Sequence, residues 1–203
     1  MSKLNFKASA LRLALFSGTM LLTNPLQAEQ VSIHDPVLAK EKGQYFLYST
    51  GPGITFYQSS DLKNWRLGGR VFATEPAWAK SVSPSFDGHI WAPDIFQHQG
   101  KFYLYYSISA FGKNTSAIGV TVNTTLDPKD PHYQWVDQGI VLQSVPQRDL
   151  WNAIDPAVIL DKQGQAWMSF GSFWGGLKLV KLDPTLTRIA QPEHWHTLAK
   201  AER

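Results

Sequence analysis

Cysteine is absent from the 203 residues, so no disulfide bond holds the fold, and the chain is compatible with both the periplasm and the extracellular medium. Charged residues are sparse at 17%, and the formal net charge is only +3. The basic residues are scattered and form no stripe interleaved with aromatic side chains, which excludes the pattern typical of nucleic-acid binding. Helical periodicity is missing over any stretch longer than about ten residues, so a helical fold is disfavoured.

A membrane-spanning run is lacking as well. The apolar stretch at residues 13–22 is too short to cross a bilayer, and no other follows it. Three basic residues precede this stretch, and Ala28 offers a small residue for cleavage before Glu29. This arrangement is typical of an export signal, so we predict a signal peptide at residues 1–28 and a secreted or periplasmic mature chain at residues 29–203. A buried N-terminal helix is the alternative.

Aromatic residues, in contrast, are abundant at 13%, and eight of them are tryptophan. Three short aromatic and β-branched runs occur at residues 45–48, 102–106 and 166–170, and a glycine precedes each one closely. Runs of this kind after a glycine turn are typical of β-hairpins. The sequence therefore predicts an all-β fold.

The three hairpins form a repeat, because each follows an aspartate. Asp35, Asp94 and Asp155 are separated by 59 and 61 residues. A fixed period of this size, built of strands, is typical of a β-propeller whose inner strands start near residues 33, 92 and 153. We count two complete blades and much of a third. In such a fold the three aspartates are predicted to point at one central cavity, although a chance alignment of hairpins is conceivable.

Carboxylates that converge on a pocket fit acid–base chemistry on a polar, uncharged substrate. Glycoside hydrolysis with inversion needs two carboxyl groups roughly 6.5–9.5 Å apart, with room between them for a water molecule. Metal chelation and simple turn-capping are the alternatives, since an Asp-Pro pair is often only structural. Aromatic residues near the strand exits, at Trp91, 111–112 and 173–176, favour a sugar site over a metal site.

Four motifs carry a specific resemblance. The stretches IHDPV (33–37), WAPDI (91–95), NAIDPA (152–157) and GSFWGG (171–176) closely resemble glycoside hydrolase family 43, and in particular its endo-α-1,5-L-arabinanases. The motifs occur in the right order and with the right spacing. The resemblance implies a five-bladed β-propeller that hydrolyses arabinan endo-wise by an inverting mechanism.

The resemblance also implies roles for single residues. Asp35 is the expected general base, and Asp155 is the carboxylate that raises the pKa of the general acid. Asp94 has a supporting role, His34 is a wall or packing residue, and the loop at residues 81–89 either shapes the cleft or is a surface loop. The expected substrate-binding residues are Asp35, Trp91, Phe111, Gly112, Asn152, Ala153, Ile154, Asp155, Ser172, Phe173 and Trp174.

The sequence departs from the family at the general acid, which is a glutamate in the fourth blade. Glu41, Glu75, Glu193 and Glu202 all lie among polar or turn residues, so none matches this position. We therefore expect the acid beyond residue 203, and expect the chain to be the N-terminal portion of an arabinanase that has about two to three blades and is inactive alone. No metal site or cofactor is expected here, although calcium is expected in a full-length protein.

Other functions are compatible with the same motifs. Within the family they are an exo-acting arabinofuranosidase and a β-xylosidase, which release only monomers. Outside it they are a non-catalytic sugar-binding propeller, favoured by the missing glutamate, and a protein-interaction propeller without sugar affinity. The expected partners are arabinan and arabino-oligosaccharides, without nucleic acid or a membrane span, and the protein is expected to be a monomer.

Overall fold

The computed structural model describes residues 31–200, and they form three antiparallel β-sheets in chain order. The predicted signal peptide and Glu202 lie outside this range. The first sheet contains β1 (Val37–Glu41), β2 (Gln44–Ser49), β4 (Thr55–Ser59) and β5 (Arg66–Arg70). The second contains β6 (His89–His98), β7 (Lys101–Ile108), β8 (Ser116–Asn123) and β9 (Val136–Ser144), with the short β3 (Gly51–Pro52) beside β6. The third contains β10 (Ala157–Leu160), β11 (Ala166–Phe170), β12 (Leu177–Lys181) and β13 (Trp195–Ala199).

These sheets confirm the predicted all-β class. In the first and second sheets the inner pair is a tight hairpin, and the residue before the turn glycine also has a positive φ, with Lys42 at 46° and Gln99 at 47°. The turn in the third sheet is longer, since β10 and β11 pair up to Leu160 and Ala166. The only helix among residues 31–200 is the single turn α1 (Ala79–Val82), and no helix in this range is long and apolar enough to cross a membrane.

The third sheet has four strands, like the first sheet. Three sheets lie within the predicted range of about two to three blades, and the propeller architecture itself stays a prediction. The sequence signal for β13 was weak because four of its five side chains are exposed. Trp195 is the exception, since its ring packs against Trp151 and Phe170 at the edge of the core.

Two inner strands begin later than predicted. β1 begins at Val37 and β10 at Ala157, four residues after the expected starts near 33 and 153. The cause is local, because Asp35 and Asp155 have φ values of 47° and 57° and a proline follows each. A positive φ turns the backbone out of the extended conformation, and proline has no N–H for the ladder.

The second sheet shows the same step inside a strand. Ala92 has a φ of 42°, Pro93 follows it, and the pairing register shifts between Trp91 and Asp94. β6 continues across this bulge, so it begins at His89 rather than near 92. Ala92 thus takes the position that Asp35 and Asp155 hold in the other sheets. The repeat is correct, but Asp94 lies two residues further along than the leading aspartates.

The core consists of two layers of side chains on either side of the second sheet. Tyr103 and Tyr105 of β7 belong to a buried cluster with the third sheet, while Leu104 and Tyr106 belong to a cluster with the first sheet. Successive side chains of a strand point to opposite faces, so β7 supplies both layers. The segment at residues 81–89 also contributes to the core, because Phe86 is buried in the cluster between the first and second sheets. It is therefore not simply a surface loop.

A hydrogen bond ties the second sheet to the third within the core. The Tyr105 hydroxyl donates to the carbonyl oxygen of Leu186 at 2.6 Å, and both residues are buried. Tyr103 lies on the same face of β7, but its hydroxyl makes no hydrogen bond to any described residue.

We predict that Tyr105→Phe lowers the free energy of unfolding more than the equivalent change Tyr103→Phe does. It leaves the buried Leu186 carbonyl without its partner, at a cost of about 1–3 kcal/mol in the free energy of unfolding. Tyr103→Phe, the matched control, removes a hydroxyl without a protein partner. Thermal unfolding followed by circular dichroism measures both, at about 2–4 °C per kcal/mol for a chain of this size. Equal melting temperatures for the two variants contradict the role of this bond.

Candidate active site

Asp35 lies immediately before β1, at the head of the first sheet. Its carboxylate oxygen Oδ2 accepts a hydrogen bond from the Thr50 hydroxyl at 2.7 Å and lies 2.8 Å from Nδ1 of His34. The His34 side chain is 81% exposed, so of the two predicted roles, wall or packing residue, the packing role is wrong and the wall role stays a prediction. Asp35 itself is exposed, which leaves its carboxylate open to solvent.

Asp155 occupies the equivalent position in the third sheet. Its backbone N–H donates to the Ser107 hydroxyl of the second sheet at 3.1 Å. The residue is exposed, yet neighbouring protein atoms partly desolvate its carboxyl group, and this desolvation is the main cause that raises its pKa. The negative charge of Asp35 raises the pKa further, while His34 lowers it. The two aspartates are therefore close enough to interact electrostatically.

A cavity of about 500 Å³ lies next to the segment that carries Asp155, because Asn152 and Ile154 of that segment line it. It is lined by most of the residues that the sequence predicted to bind substrate, and the aromatic ones are well exposed, with Phe111 at 96% and Phe173 at 84%. Exposed rings that face one cavity offer stacking surfaces for sugars. The predicted residues in its lining are Trp91, Phe111, Gly112, Asn152, Ile154, Ser172, Phe173 and Trp174.

Two further residues in the lining were not predicted. Ala110 and Lys113 flank Phe111 and Gly112 in the loop between β7 and β8. Their position next to predicted residues was the only sequence signal for them. Lys113 adds one cationic amine to a lining that is otherwise uncharged.

Asp155 lines a second cavity that adjoins the first. The two cavities share Ser172 and Phe173, and the second also contacts Leu198 and Lys200. Asp35 lines neither cavity, and Asp155 lines only the second.

The loop at residues 171–176 brings three predicted residues into the lining because its glycines permit close approach. A Cβ atom on Gly175 would collide with the carbonyl of Leu150, and one on Gly176 with the carbonyl of Ala199. Phe173 and Trp174 both have positive φ values, at 53° and 34°. Such conformations are strained for bulky residues and concentrate at functional sites, where the surroundings hold them.

Asn152 is held by a buried chain of hydroxyl groups. Its Oδ1 accepts from Ser116 at 2.6 Å, and the Ser116 hydroxyl lies 2.8 Å from that of Ser109. The amide nitrogen of Asn152 makes no hydrogen bond to any residue in the described range. The side chain is thus fixed at the cavity with its two N–H donors available for a sugar hydroxyl.

Asp94 has a different role from the other aspartates, and it lines neither cavity. Its Oδ2 accepts a hydrogen bond from the backbone N–H of Val158 at 2.9 Å, which joins the second sheet to the third. Desolvation raises the pKa of Asp94, and the bond from Val158 opposes that shift. The expectation that all three aspartates point at one cavity is therefore corrected. Asp94 bonds to the third sheet because it follows Pro93 rather than preceding it. Of the other two aspartates, Asp35 lines neither cavity and Asp155 lines only the second.

Ala153 also departs from expectation. It is fully buried in the core cluster, and its N–H donates to the Ser144 hydroxyl at 3.2 Å, so it supports the cavity wall instead of contacting a sugar. None of the three glutamates in residues 31–200 lines either cavity, and each contacts another part of the chain. Glu41 accepts from the Thr125 hydroxyl, Glu75 pairs with Lys80, and Glu193 accepts from the Trp195 indole.

No group of three or more histidine, cysteine, aspartate or glutamate side chains suited to a metal ion occurs within residues 31–200. The calcium ion expected in a full-length protein stays a prediction.

Comparison with known proteins gives consistent matches. Residues 22–202 match the family model described as Glycosyl hydrolases family 43. Extracellular exo-α-(1→5)-L-arabinofuranosidase of Cellvibrio japonicus is 69% identical over 176 residues, which are 87% of this chain and 51% of that protein. Extracellular endo-α-(1→5)-L-arabinanase 1 of Bacillus subtilis is 41% identical over 74% of this chain and 46% of its own length. The chain thus spans about half the length of the curated relatives it matches.

The fold agrees with a solved structure. The structure of Cellvibrio cellulosa α-L-arabinanase complexed with arabinohexaose superposes with a TM-score of 0.85 at 68% identity. The match covers 86% of this chain and 56% of that one.

We predict that Asp155→Asn stabilises the fold at neutral pH. A carboxyl group whose pKa is raised by folding binds its proton more tightly in the folded state. Its contribution is therefore favourable at low pH and is lost as the pH rises through the window between the unfolded and folded pKa values. Asparagine removes the charge and tolerates a positive φ. The melting temperature of the variant should exceed that of the wild type at pH 7, and the gap should narrow near pH 3.

Asp161→Asn is the control with the opposite sign. The Trp167 indole and the backbone N–H groups of Gln165 and Gln163 lower the pKa of Asp161, so its charge stabilises the fold above its unfolded pKa. This variant should lose stability at pH 7 and regain it relative to the wild type as the pH falls. A gap of the same sign for both variants contradicts the assignment.

Proposed function

The chain belongs to glycosyl hydrolase family 43, and from this membership and the site geometry we propose that it cleaves α-1,5-linked arabinan with inversion, as part of a five-bladed β-propeller. The observation that carries the proposal is the juxtaposition of two interacting carboxylates, Asp35 and Asp155, with a cavity lined by exposed aromatic rings. A metal ion or a strongly charged ligand would require several charged or metal-ligating side chains in the lining, and this lining has one charged residue, Lys113. We further propose that the protein is secreted, in keeping with relatives named extracellular. We also propose that it is a monomer.

Asp35 is the proposed general base. It removes a proton from a water molecule, the water oxygen bonds to the anomeric carbon from one face, and the glycosidic C–O bond breaks on the other face. The departing sugar oxygen then takes a proton from a general acid. Because attack and departure occur on opposite faces, the anomeric configuration inverts.

Asp155 is proposed to act on that acid rather than on the water. A negative charge close to a carboxylic acid raises the pKa of the acid and keeps it protonated near neutrality. Glu41, Glu75 and Glu193 bind other parts of the chain, so none of them is proposed as the acid. We propose a glutamate outside residues 31–200.

Endo-cleavage is the preferred mode. The two adjoining cavities share Ser172 and Phe173, which supports a recess that accommodates sugars on both sides of these two residues. Exo-cleavage is the second candidate, supported by the 69% identity to a relative named an exo-arabinofuranosidase. Product analysis on debranched arabinan separates the two, because endo-cleavage yields a ladder of early oligomers and exo-cleavage a single short product.

We predict that Asp35→Asn abolishes hydrolysis of a 2,4-dinitrophenyl α-L-arabinobioside. This leaving group departs without protonation, so the assay isolates the base from the acid. Loss of a general base lowers kcat by about 10²–10⁴-fold. Release of dinitrophenolate measures the rate. The control Asp183→Asn changes an aspartate that bonds only within its own turn, at Thr185, and should keep full activity. Comparable rates in all three proteins exclude Asp35 as the base.

We predict that Trp91→Ala weakens binding of arabinohexaose about tenfold, which corresponds to about 1.4 kcal/mol. The indole of Trp91 lines the cavity and offers a face for stacking on a sugar ring. Isothermal titration calorimetry measures the affinity without requiring turnover. Trp65→Ala is the matched control, since Trp65 lies at the outer edge of the first sheet beside Arg66 and lines a separate cavity. Unchanged affinity in Trp91→Ala removes the stacking role.

A further inference from the structure

The hydroxyl of Thr50 makes two hydrogen bonds that together fix the direction of its proton. The backbone N–H of Ala92 donates to Thr50 Oγ1 at 2.8 Å, and Oγ1 lies 2.7 Å from Asp35 Oδ2. A hydroxyl group has a single proton, and the N–H of Ala92 can only donate. The Thr50 proton is therefore directed at the Asp35 carboxylate.

The position of Thr50 is set by two sheets. It follows β2, its own N–H donates to the carbonyl of His34 at 3.0 Å, and Ala92 lies in β6 of the neighbouring sheet. The hydroxyl is thus held by backbone groups on both sides and does not depend on a free rotamer. This makes it a rigid donor.

The position of Thr50, at the end of the second strand of the inner hairpin, has an equivalent in each of the other two sheets. Ser107 in the second sheet accepts the N–H of Asp155 in the third sheet, just as Thr50 accepts that of Ala92. In the third sheet the place is taken by Gly171, whose N–H donates to the carbonyl of Ile154 and which has no hydroxyl. Of these three equivalent positions, only Thr50 combines the link between sheets with a bond to a carboxylate.

The two oxygens of Asp35 are therefore unequal. Oδ2 receives the Thr50 proton and lies beside the His34 ring, whereas Oδ1 accepts no hydrogen bond from residues 31–200. Both lone pairs of Oδ1 are free for a water molecule. A carboxylate pinned at one oxygen also cannot rotate freely, which holds the other oxygen in a fixed direction.

We propose that Thr50 is a positioning residue for Asp35, and that it directs Oδ1 at the water molecule which attacks the sugar. The inference rests on the proposed function, because it assumes that Asp35 is the general base. It goes beyond that function by naming the group that orients the base and the oxygen that takes the proton.

The test compares Thr50→Val with Thr50→Ser on the dinitrophenyl arabinobioside. Valine keeps the shape but removes the hydroxyl, so kcat should fall at least tenfold while KM stays within twofold, because the sugar cavity is not altered. Serine restores the hydroxyl and should recover kcat to within about threefold. A structural role alone does not predict this split between kcat and KM or the rescue by serine.

Stability is measured separately with Ser107→Ala, which removes the equivalent hydroxyl acceptor between the second and third sheets. Thr50→Val and Ser107→Ala should lower the melting temperature by similar amounts, so a loss of activity in Thr50→Val is not explained by unfolding. Full kcat in a folded Thr50→Val protein overturns the inference and leaves the proposed function intact.

Crystal structures of the wild type and of Thr50→Val decide the inference independently of turnover. In the wild type, Asp35 Oδ2 should lie within hydrogen-bonding distance of Thr50, with a water molecule on Oδ1. In the variant, the carboxylate should rotate or occupy more than one rotamer. An unmoved carboxylate overturns the inference. A wild-type protein that neither hydrolyses the arabinoside nor binds arabinohexaose overturns the proposed function instead.

Discussion

A left-handed residue followed by proline occurs in the inner strand segment of each of the three sheets, and the site depends on this backbone step. At Asp35 and Asp155 the positive φ turns the chain just before the inner strand begins, and at Ala92 it forms a bulge inside β6. A side chain at this point lies outside the ladder, so it is not drawn into the core on either face. The step is thus what places the two carboxylates at the head of the first and third sheets.

The step is costly for residues other than glycine, and neighbouring sheets offset part of that cost. Non-glycine residues with positive φ are strained unless the surroundings hold them. The N–H of Ala92 is bound by Thr50, and the N–H of Asp155 by Ser107. Each bond joins a left-handed residue to the preceding sheet, so the same contacts stabilise the strained backbone and fix one sheet against the next. Stability and site geometry therefore have a common origin.

The sequence predicted the strands well because their signals are local. Aromatic runs after glycine turns mark the hairpins, and the motifs at 91–95, 152–157 and 171–176 contain six of the ten residues in the lining of the cavity. The sequence did not predict features that depend on contacts with distant residues. The sequence does not show that Asp94 bonds to Val158, that Ala153 is buried, or that Thr50 reaches Asp35, since those contacts join residues far apart in the chain. The left-handed conformation of Ala92 was also hidden, because alanine gives no sign of a positive φ.

The geometry separates two carboxylates that the sequence presents as near equivalents. Both precede a proline and a strand, yet Asp35 receives a hydroxyl proton from Thr50, while the Asp155 carboxyl accepts no hydrogen bond from residues 31–200. Desolvation and a nearby like charge disfavour the charged form of a carboxyl group, and these two effects raise the pKa of Asp155. A repeated backbone step with different hydroxyl neighbours thus yields one carboxylate whose orientation is fixed by a hydrogen bond and another that has no such bond within residues 31–200. The two residues are of the same type, and the difference between them is the hydrogen bond that the Asp35 carboxylate accepts from Thr50.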